Sequence, residues 1–329
     1  MDNFRKILVI QTAFIGDAIL ATGVLESIHK KFPEAALHIL VRNGNETLFE
    51  NHPYLKKVWV WNKKENKIKN LFSLIGEIRK ENFDWLINLH RFASSGLITF
   101  LSKAKITCGF DKNPFSFSFT YKVKHIIGNG SHEVERNHLL LEKYVTGNFF
   151  KPKLYPSLAQ QEKIKQYTQT SFVCMAPASV WFTKQLPQHK WVELCNLISP
   201  EKNIYLVGAK GDEALCEEIK NKSTNKNIIV LCGKLSLLES CALMQYAQMN
   251  YVNDSAPLHL ASSVNAPVTA FYCSTIKDFG FYPLSDNSKI IEITTPLSCR
   301  PCGLHGFKEC PQKHFKCGNE IQLAGGSFK

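Results

Sequence analysis

The side chains best suited to chemistry sit in short turns between apolar runs and helical segments. In the stretch Met249 to Thr275, Tyr251-Val252 close an apolar run and Asp254-Ser255 follow with helix-start chemistry. Pro257 falls in the first helical turn, where a missing N–H costs nothing. His259 comes one turn after Ser255. Free backbone N–H groups and a positive dipole end make such a terminus a place for a phosphate. Each residue also has a plain structural reading: Asp254 and Ser255 as caps, His259 as a buried structural histidine. Their conjunction after a parallel-type strand favours the ligand reading, because ligands of open α/β sheets sit at strand carboxyl ends.

Three further turns have the same character. Gly16-Asp17 opens a helix after the first strand, and an ionised aspartate there can accept a proton from a well-placed hydroxyl. The alternative is an ordinary N-cap. Lys184 lies in the loop after Ala176, where an ammonium can neutralise a leaving diphosphate. Asp212 and Glu213 follow Gly208-Ala209-Lys210-Gly211; either carboxylate can accept hydrogen bonds from ribose hydroxyls, and Asp212 can equally cap a helix. The first turn lacks G-x-G-x-x-G, having Gly16 alone, and no Walker A sequence occurs.

The elements that must position these residues alternate. Lys6 to Gln11 reads as a strand buried on both faces, then a helix runs to about Lys31 with Leu20, Val24 and Ile28 inward. Strands follow at Leu37 to Val41 and Lys57 to Trp61, with Trp59 and Trp61 on one strand face. The next helix places Ile68, Leu71, Phe72, Ile75 and Ile78 in register, and Trp85 to Leu89 and Ile106 to Phe110 continue the strands. Residues 111–132 read as an irregular loop, a helix spans Val134 to Val145, and the interdomain connection falls within Thr146 to Ser171. The second half predicts strands at Phe172 to Ala176, Ile204 to Gly208, Ile228 to Leu231 and Val268 to Tyr272. Its helices are His189 to Ile198, Asp212 to Lys220, and one capped by Ser236 that ends at Ala247. This alternation argues an α/β chain of two doubly wound parallel-sheet domains, 1–157 and 158–329, with a binding cleft between them.

A chain of 329 residues can hold two sizeable cores, and 44% hydrophobic content is ordinary for a globular protein. No apolar stretch is long enough for a transmembrane helix, and Met-Asp-Asn leads straight into a strand, so no signal peptide is expected. The net charge of +12 favours an anionic partner: nucleic acid, an acidic membrane surface or a phosphorylated substrate. Of eleven cysteines, Cys108, Cys174, Cys195, Cys216, Cys232, Cys241 and Cys273 lie in apolar or helical context and read as reduced core thiols of a cytoplasmic protein. The remaining four form Cys299-x2-Cys302-x7-Cys310-x6-Cys317. A zinc site usually has two close-spaced pairs and only one is present, so thiols packing the tail is the preferred reading and no metal is expected.

Taken in order, Gly16-Asp17, Trp181 with Lys184-x-x-Pro187, Val207-Gly208-Ala209 and Asp254-Ser255-x-x-x-His259 resemble glycosyltransferase family 9. The likeness spans essentially the whole chain, including His132-x-x-x-Arg136 and the terminal cysteines. That family contains the ADP-heptose:lipopolysaccharide heptosyltransferases, so the resemblance implies the GT-B fold of two Rossmann-like domains. It implies a first domain for the acceptor and a second for the nucleotide sugar. Asp17 would be the general base of an inverting, metal-independent transfer. Lys184 and the backbone at Ser255-Ala256 would hold the diphosphate, with His259 and Asp254 beside it, and Asp212 or Glu213 would meet the nucleoside. Ala256 and Cys273 depart from the family, which usually has glycine at both positions. The basic residues Lys63, Lys64, Lys67 and Arg91 suit an anionic acceptor of Kdo–lipid A type, although the lysines equally fit a solvated charge run. The implied partners are an ADP-sugar, that acceptor and the cytoplasmic face of a Gram-negative inner membrane, with no cofactor. Two other readings stay open: a family member using another nucleotide sugar or inactive in transfer, and a basic nucleic-acid-binding protein, although no RNA- or DNA-binding signature is evident.

Overall fold

The computed structural model describes residues 4–64 and 66–323, and its chain divides into two compact units, Met1–Tyr155 and Pro156–Lys329. The first contains strands β1 (Lys6–Gln11), β2 (Ala36–Arg42), β3 (Leu55–Trp61), β4 (Trp85–Asn88), β5 (Ile106–Phe110) and β6 (Tyr121–Val123). Its helices are α1 (Ile15–Leu20), α2 (Thr22–Lys31), α3 (Lys67–Glu81), α4 (Ala93–Leu101) and α5 (Glu133–Leu139). All neighbours pair in parallel in the order β3-β2-β1-β4-β5-β6. β1 is central and almost wholly buried, as its unbroken apolar run requires.

The second unit contains α6 (Leu158–Ile164), β7 (Phe172–Ala176), α7 (Gln188–Leu197), β8 (Asn203–Leu206), α8 (Glu213–Lys222), β9 (Ile228–Val230) and α9 (Leu237–Tyr246). It continues with β10 (Asn250–Asn253), α10 (Ala256–Ser263), β11 (Val268–Tyr272), β12 (Ser288–Glu292) and the short α11 (Lys316–Asn319). Its all-parallel sheet runs β12-β11-β10-β7-β8-β9, which repeats the strand order of the first unit when counted from β7. Both units are thus doubly wound α/β sheets of Rossmann type, the pair of domains that defines the GT-B fold.

In each sheet the order reverses direction once, between β1 and β4 and between β7 and β10. Loops leaving those strands diverge to opposite sides and open a crevice at the carboxyl ends. The turns with Asp17 and Arg91 leave β1 and β4; those with Lys184 and Asp254 leave β7 and β10.

Several details differ from expectation. The first helix is two, α1 and α2, meeting at Ala21. On α3 the inward stripe is Leu71, Leu74, Ile75 and Ile78, whereas Ile68 and Phe72 are exposed. Leu74 lies on the stripe between Leu71 and Ile78, so the register rotates away from Ile68. The segment 111–132 is not wholly irregular, since β6 pairs with β5. The predicted Val134–Val145 helix ends at Leu139. Ser236 caps α9 as expected, accepting from the Glu239 N–H. The seven core cysteines are all buried and free.

Candidate functional site

The crevice of the first unit is built on the end of β1. The Phe14 N–H donates to Asp17 Oδ2 (3.2 Å), so the carboxylate closes its own helix start. The capping reading is therefore correct for one oxygen, and Asp17 remains part-buried in the turn. Removal from water, then the negative charge of Glu133, push its carboxyl up to about 6; the Phe14 N–H and Arg91 pull the other way. Such a carboxylate is ionised at neutral pH yet basic enough to take a proton.

Around it lie groups that the local sequence did not flag. Thr12 Oγ1 and His90 Nδ1 are 3.0 Å apart, and the His90 ring is buried. Burial, followed by Lys63 and Arg91, lowers His90 to about 4, so it is neutral at pH 7. Arg91 donates to His125 Nδ1 (3.1 Å), which fixes the His125 tautomer with its proton on Nε2. That nitrogen stands 3.6 Å from Glu133 Oε2, which also accepts from Arg136 Nε at 2.8 Å. Burial opposes ionisation of Glu133, but His125, Arg136 and Arg91 outweigh it and hold the carboxyl below its ordinary value. Glu133 and His125 went unread because they lie over a hundred residues from Asp17; the His132-x-x-x-Arg136 spacing was the available signal, pointing to the segment that contains Glu133.

Of the basic acceptor candidates, Lys63 turns inward. Its ammonium donates to the Thr12 carbonyl (2.7 Å) and lies 4.5 Å from the Trp61 ring centre. Burial, then Arg42 and Lys67, lower it to about 8. Lys64 and Lys67 are exposed, whereas Arg91 belongs to the His125–Glu133 network.

In the second unit Lys184 and Asp254 meet directly, with Nζ 2.8 Å from Oδ2. Both are largely buried, at 15% and 5% side-chain exposure, so this is no surface ion pair. Thr275 Oγ1 donates to the same oxygen at 2.6 Å. The fully buried Asn253, another residue the sequence did not flag, accepts from the Leu186 N–H (2.8 Å) and donates to the Pro177 carbonyl (2.7 Å). It thereby ties both ends of the Lys184 loop to β10.

Ser255 holds the N-cap position of α10 with extended backbone, yet its side chain makes no capping bond. Its hydroxyl turns back to the Asn253 carbonyl (3.4 Å), and Asp254 is committed to Lys184 and Thr275. The expected side-chain cap is therefore not formed, which leaves the N–H groups of that helix start to an outside acceptor. Ala256 begins the helix, Pro257 is in its first turn and His259 is buried one turn in. Asp212 caps the turn after β8, accepting from the Ala209 N–H (2.8 Å), and Glu213 beside it is exposed. Among the described residues no three His, Cys, Asp or Glu side chains are grouped closely enough to hold a metal ion.

Residues 71–308 match the family model of glycosyltransferase family 9 (heptosyltransferase). Lipopolysaccharide heptosyltransferase 1 of Campylobacter coli is 27% identical over 291 residues, covering 82% of this chain and 84% of its own. Lipooligosaccharide heptosyltransferase 2 of Campylobacter jejuni is 26% identical over 321 residues, covering 96% and 94%. Among solved structures, ADP-heptose lps heptosyltransferase II of E. coli superposes with a TM-score of 0.77 at 19% identity, over 96% of this chain and 98% of that one. A glycosyl transferase family 9 protein from Veillonella parvula gives 0.78 at 20% identity, over 87% and 85%.

Proposed function

The chain belongs to glycosyltransferase family 9, the heptosyltransferases, and on that premise we propose that it moves a heptose from ADP-heptose to the inner core of lipopolysaccharide with Asp17 as general base. The acceptor hydroxyl gives its proton to the Asp17 carboxylate as its oxygen attacks the anomeric carbon. The bond from that carbon to the diphosphate oxygen breaks in the same step, ADP departs and the configuration inverts. Charge gathers on the leaving diphosphate, so positive groups fixed there lower the barrier without having to reorganise. Lys184 and the N–H groups at Ser255-Ala256 supply them with His259 beside the diphosphate, and this chemistry asks for no metal. Asp254 holds the Lys184 ammonium in place beforehand, and Asp212 or Glu213 meets the nucleoside.

One observation supports this reading: each sheet carries, at its own switch point, a charged group suited to the transfer. A desolvated carboxylate stands after β1, and a buried ammonium beside an uncapped helix start stands after β7 and β10. On this reading the first unit receives the acceptor and the second the donor. Lys63, Lys64, Lys67 and Arg91 match the Kdo and phosphate groups of a lipid A-type acceptor, and the net charge of +12 favours such an anionic partner.

We place the enzyme at the cytoplasmic face of the inner membrane. No helix among the described residues is long and apolar enough to cross a bilayer. The first unit does expose Phe100 and Phe117, whose ring centres lie 6.2 Å from each other and 6.1 and 6.0 Å from that of Phe115. An aromatic cluster of this kind suits insertion among lipid headgroups.

The test is incubation with ADP-heptose and a Kdo–lipid A acceptor, read by mass spectrometry. Addition of one heptose supports the proposal. Transfer from a different nucleotide sugar only, or binding of ADP without transfer, replaces it.

A further inference from the structure

The first unit holds a cation that the transfer described above does not use. Arg42 ends β2, and its Nε is buried without a hydrogen-bond partner. The guanidinium lies over the Phe14 ring, with Cζ 4.9 Å from the ring centre, and Phe14 is itself 54% exposed. Glu46, the nearest acid along the chain, is turned to the Gly44 N–H (2.6 Å). Among the described residues no carboxylate lies within ion-pair distance of Arg42 or Lys63. Buried donors are as a rule paired, so one left over asks for an acceptor from outside the chain. A guanidinium stacked on an aromatic face is held still, with its fork of N–H groups ready for that acceptor.

Three strands bring these groups to the turn that carries Asp17. Lys63, after β3, donates to the Thr12 carbonyl (2.7 Å). Asn45, after β2 and fully buried, donates from Nδ2 to the Ala13 carbonyl (3.2 Å). Phe14 follows directly and gives its own N–H to Asp17 Oδ2 (3.2 Å). Ring, guanidinium, ammonium and carboxylate are therefore fixed to one turn rather than to separate loops. Burial, then the charge of Arg42, lowers the Lys63 ammonium to about 8, so the two cations are close enough to repel. Like charges gathered with no acid between them carry a cost that an arriving anion offsets. Lys64 and Lys67 differ, because they are exposed and water satisfies them.

We propose that Phe14, Arg42 and Lys63 form the subsite that selects the acceptor: Arg42 and Lys63 take an anionic group borne on a sugar, and the Phe14 ring carries the apolar face of that sugar. This rests on the transfer reading above and deepens it, since it assigns the part of the acceptor that lies beside the base. A carboxylate and a phosphate monoester both present paired oxygens to a guanidinium fork. The exposed ring adds apolar contact next to the charge, as binding sites for polar ligands commonly do. An anion held at Arg42, one helical turn from Asp17, fixes which hydroxyl faces the carboxylate. The subsite thus sets the position of transfer as well as affinity.

The test measures binding and transfer separately on the full-length protein. Binding of free Kdo, its methyl ester and glucosamine 1-phosphate is followed by saturation-transfer NMR, which needs no turnover. Binding of Kdo but not of the ester supports the subsite with a carboxylate as the anion, and binding of the sugar phosphate supports it with a phosphate. In either case Arg42→Gln should abolish the signal and Arg42→Lys should restore part of it. No binding by either acid, equal binding of Kdo and its ester, or binding unchanged in Arg42→Gln overturns the proposal. In the transfer assay Arg42→Gln should raise the acceptor KM about 10- to 100-fold, the worth of a charge-assisted hydrogen bond, and leave the donor KM near wild type. Phe14→Leu should raise the acceptor KM severalfold. Equal rises in both KM values would give Arg42 a structural role and refute the subsite. Should no heptose be transferred at all, the function proposed above fails, while the binding result still decides this subsite.

Discussion

Replacing Asp17 with asparagine should make the protein more stable and nearly inactive at once. Its carboxyl rises from 3.8 to about 6, chiefly through burial, so its folded value lies above its unfolded one. A group shifted in that sense favours the fold below the unfolded value and loses the contribution as pH climbs through about 6. At pH 8 the ionised carboxylate is therefore a cost. At about 1.4 kcal/mol per tenfold change, the full shift is worth about 3 kcal/mol. The side chain is partly exposed, so solvent screening reduces this to about 1–2 kcal/mol. The asparagine side chain keeps an oxygen for the Phe14 N–H and removes the charge facing Glu133. We expect Asp17→Asn to melt a few degrees higher at pH 8, with the gain shrinking below pH 6. Turnover should fall about 10²- to 10⁴-fold, the usual worth of a general base. ADP affinity by calorimetry should be nearly unchanged. In the wild type, kcat/KM should drop about tenfold per pH unit below about 6, where Asp17 protonates. Wild-type turnover in the variant would remove Asp17 from the mechanism, and a melting point lowered at pH 8 would refute the electrostatic account.

Lys184→Ala should raise the donor KM about 10- to 100-fold, the worth of a charge-assisted hydrogen bond, and also lower the melting point because it strands the buried Asp254 carboxylate. Steady-state kinetics with calorimetric melting separates the two effects, and an unchanged KM would exclude Lys184 from the donor site. Ala256→Gly removes a methyl from the first turn of α10; tighter ADP binding by isothermal titration, at a stability cost of about 0.5–1 kcal/mol, is expected if that methyl crowds the diphosphate. Phe100→Ser with Phe117→Ser should reduce co-sedimentation with anionic vesicles and leave transfer to a water-soluble acceptor fragment intact. Equal loss with both acceptors would argue against a membrane role for these rings.

Much of the architecture could be read locally. β1, β5, β7 and β11 have the bounds expected from their apolar runs, because a strand buried on both faces must be apolar throughout. The turns holding Asp17, Lys184, Asp212 and Asp254 were equally visible, since glycine, proline and acidic residues at a helix start act within a few positions. Hydrophobic periodicity says which face of an element is buried but not which neighbour covers it. For that reason the strand order of both sheets, the added edge strands β6 and β12, and the exposure of Ile68 and Phe72 were settled only by packing. The same holds for charge. The charge of Glu133 acts on Asp17, Arg91 reaches His125 and Lys184 reaches Asp254 across long separations in the chain, because parallel strands deliver their carboxyl ends to one edge. The sequence by itself determined which residues carry charge and which turns open the helices after β1, β8 and β10; the tertiary structure decided which of those charges face one another, because a through-space interaction depends on distance and burial rather than on order along the chain.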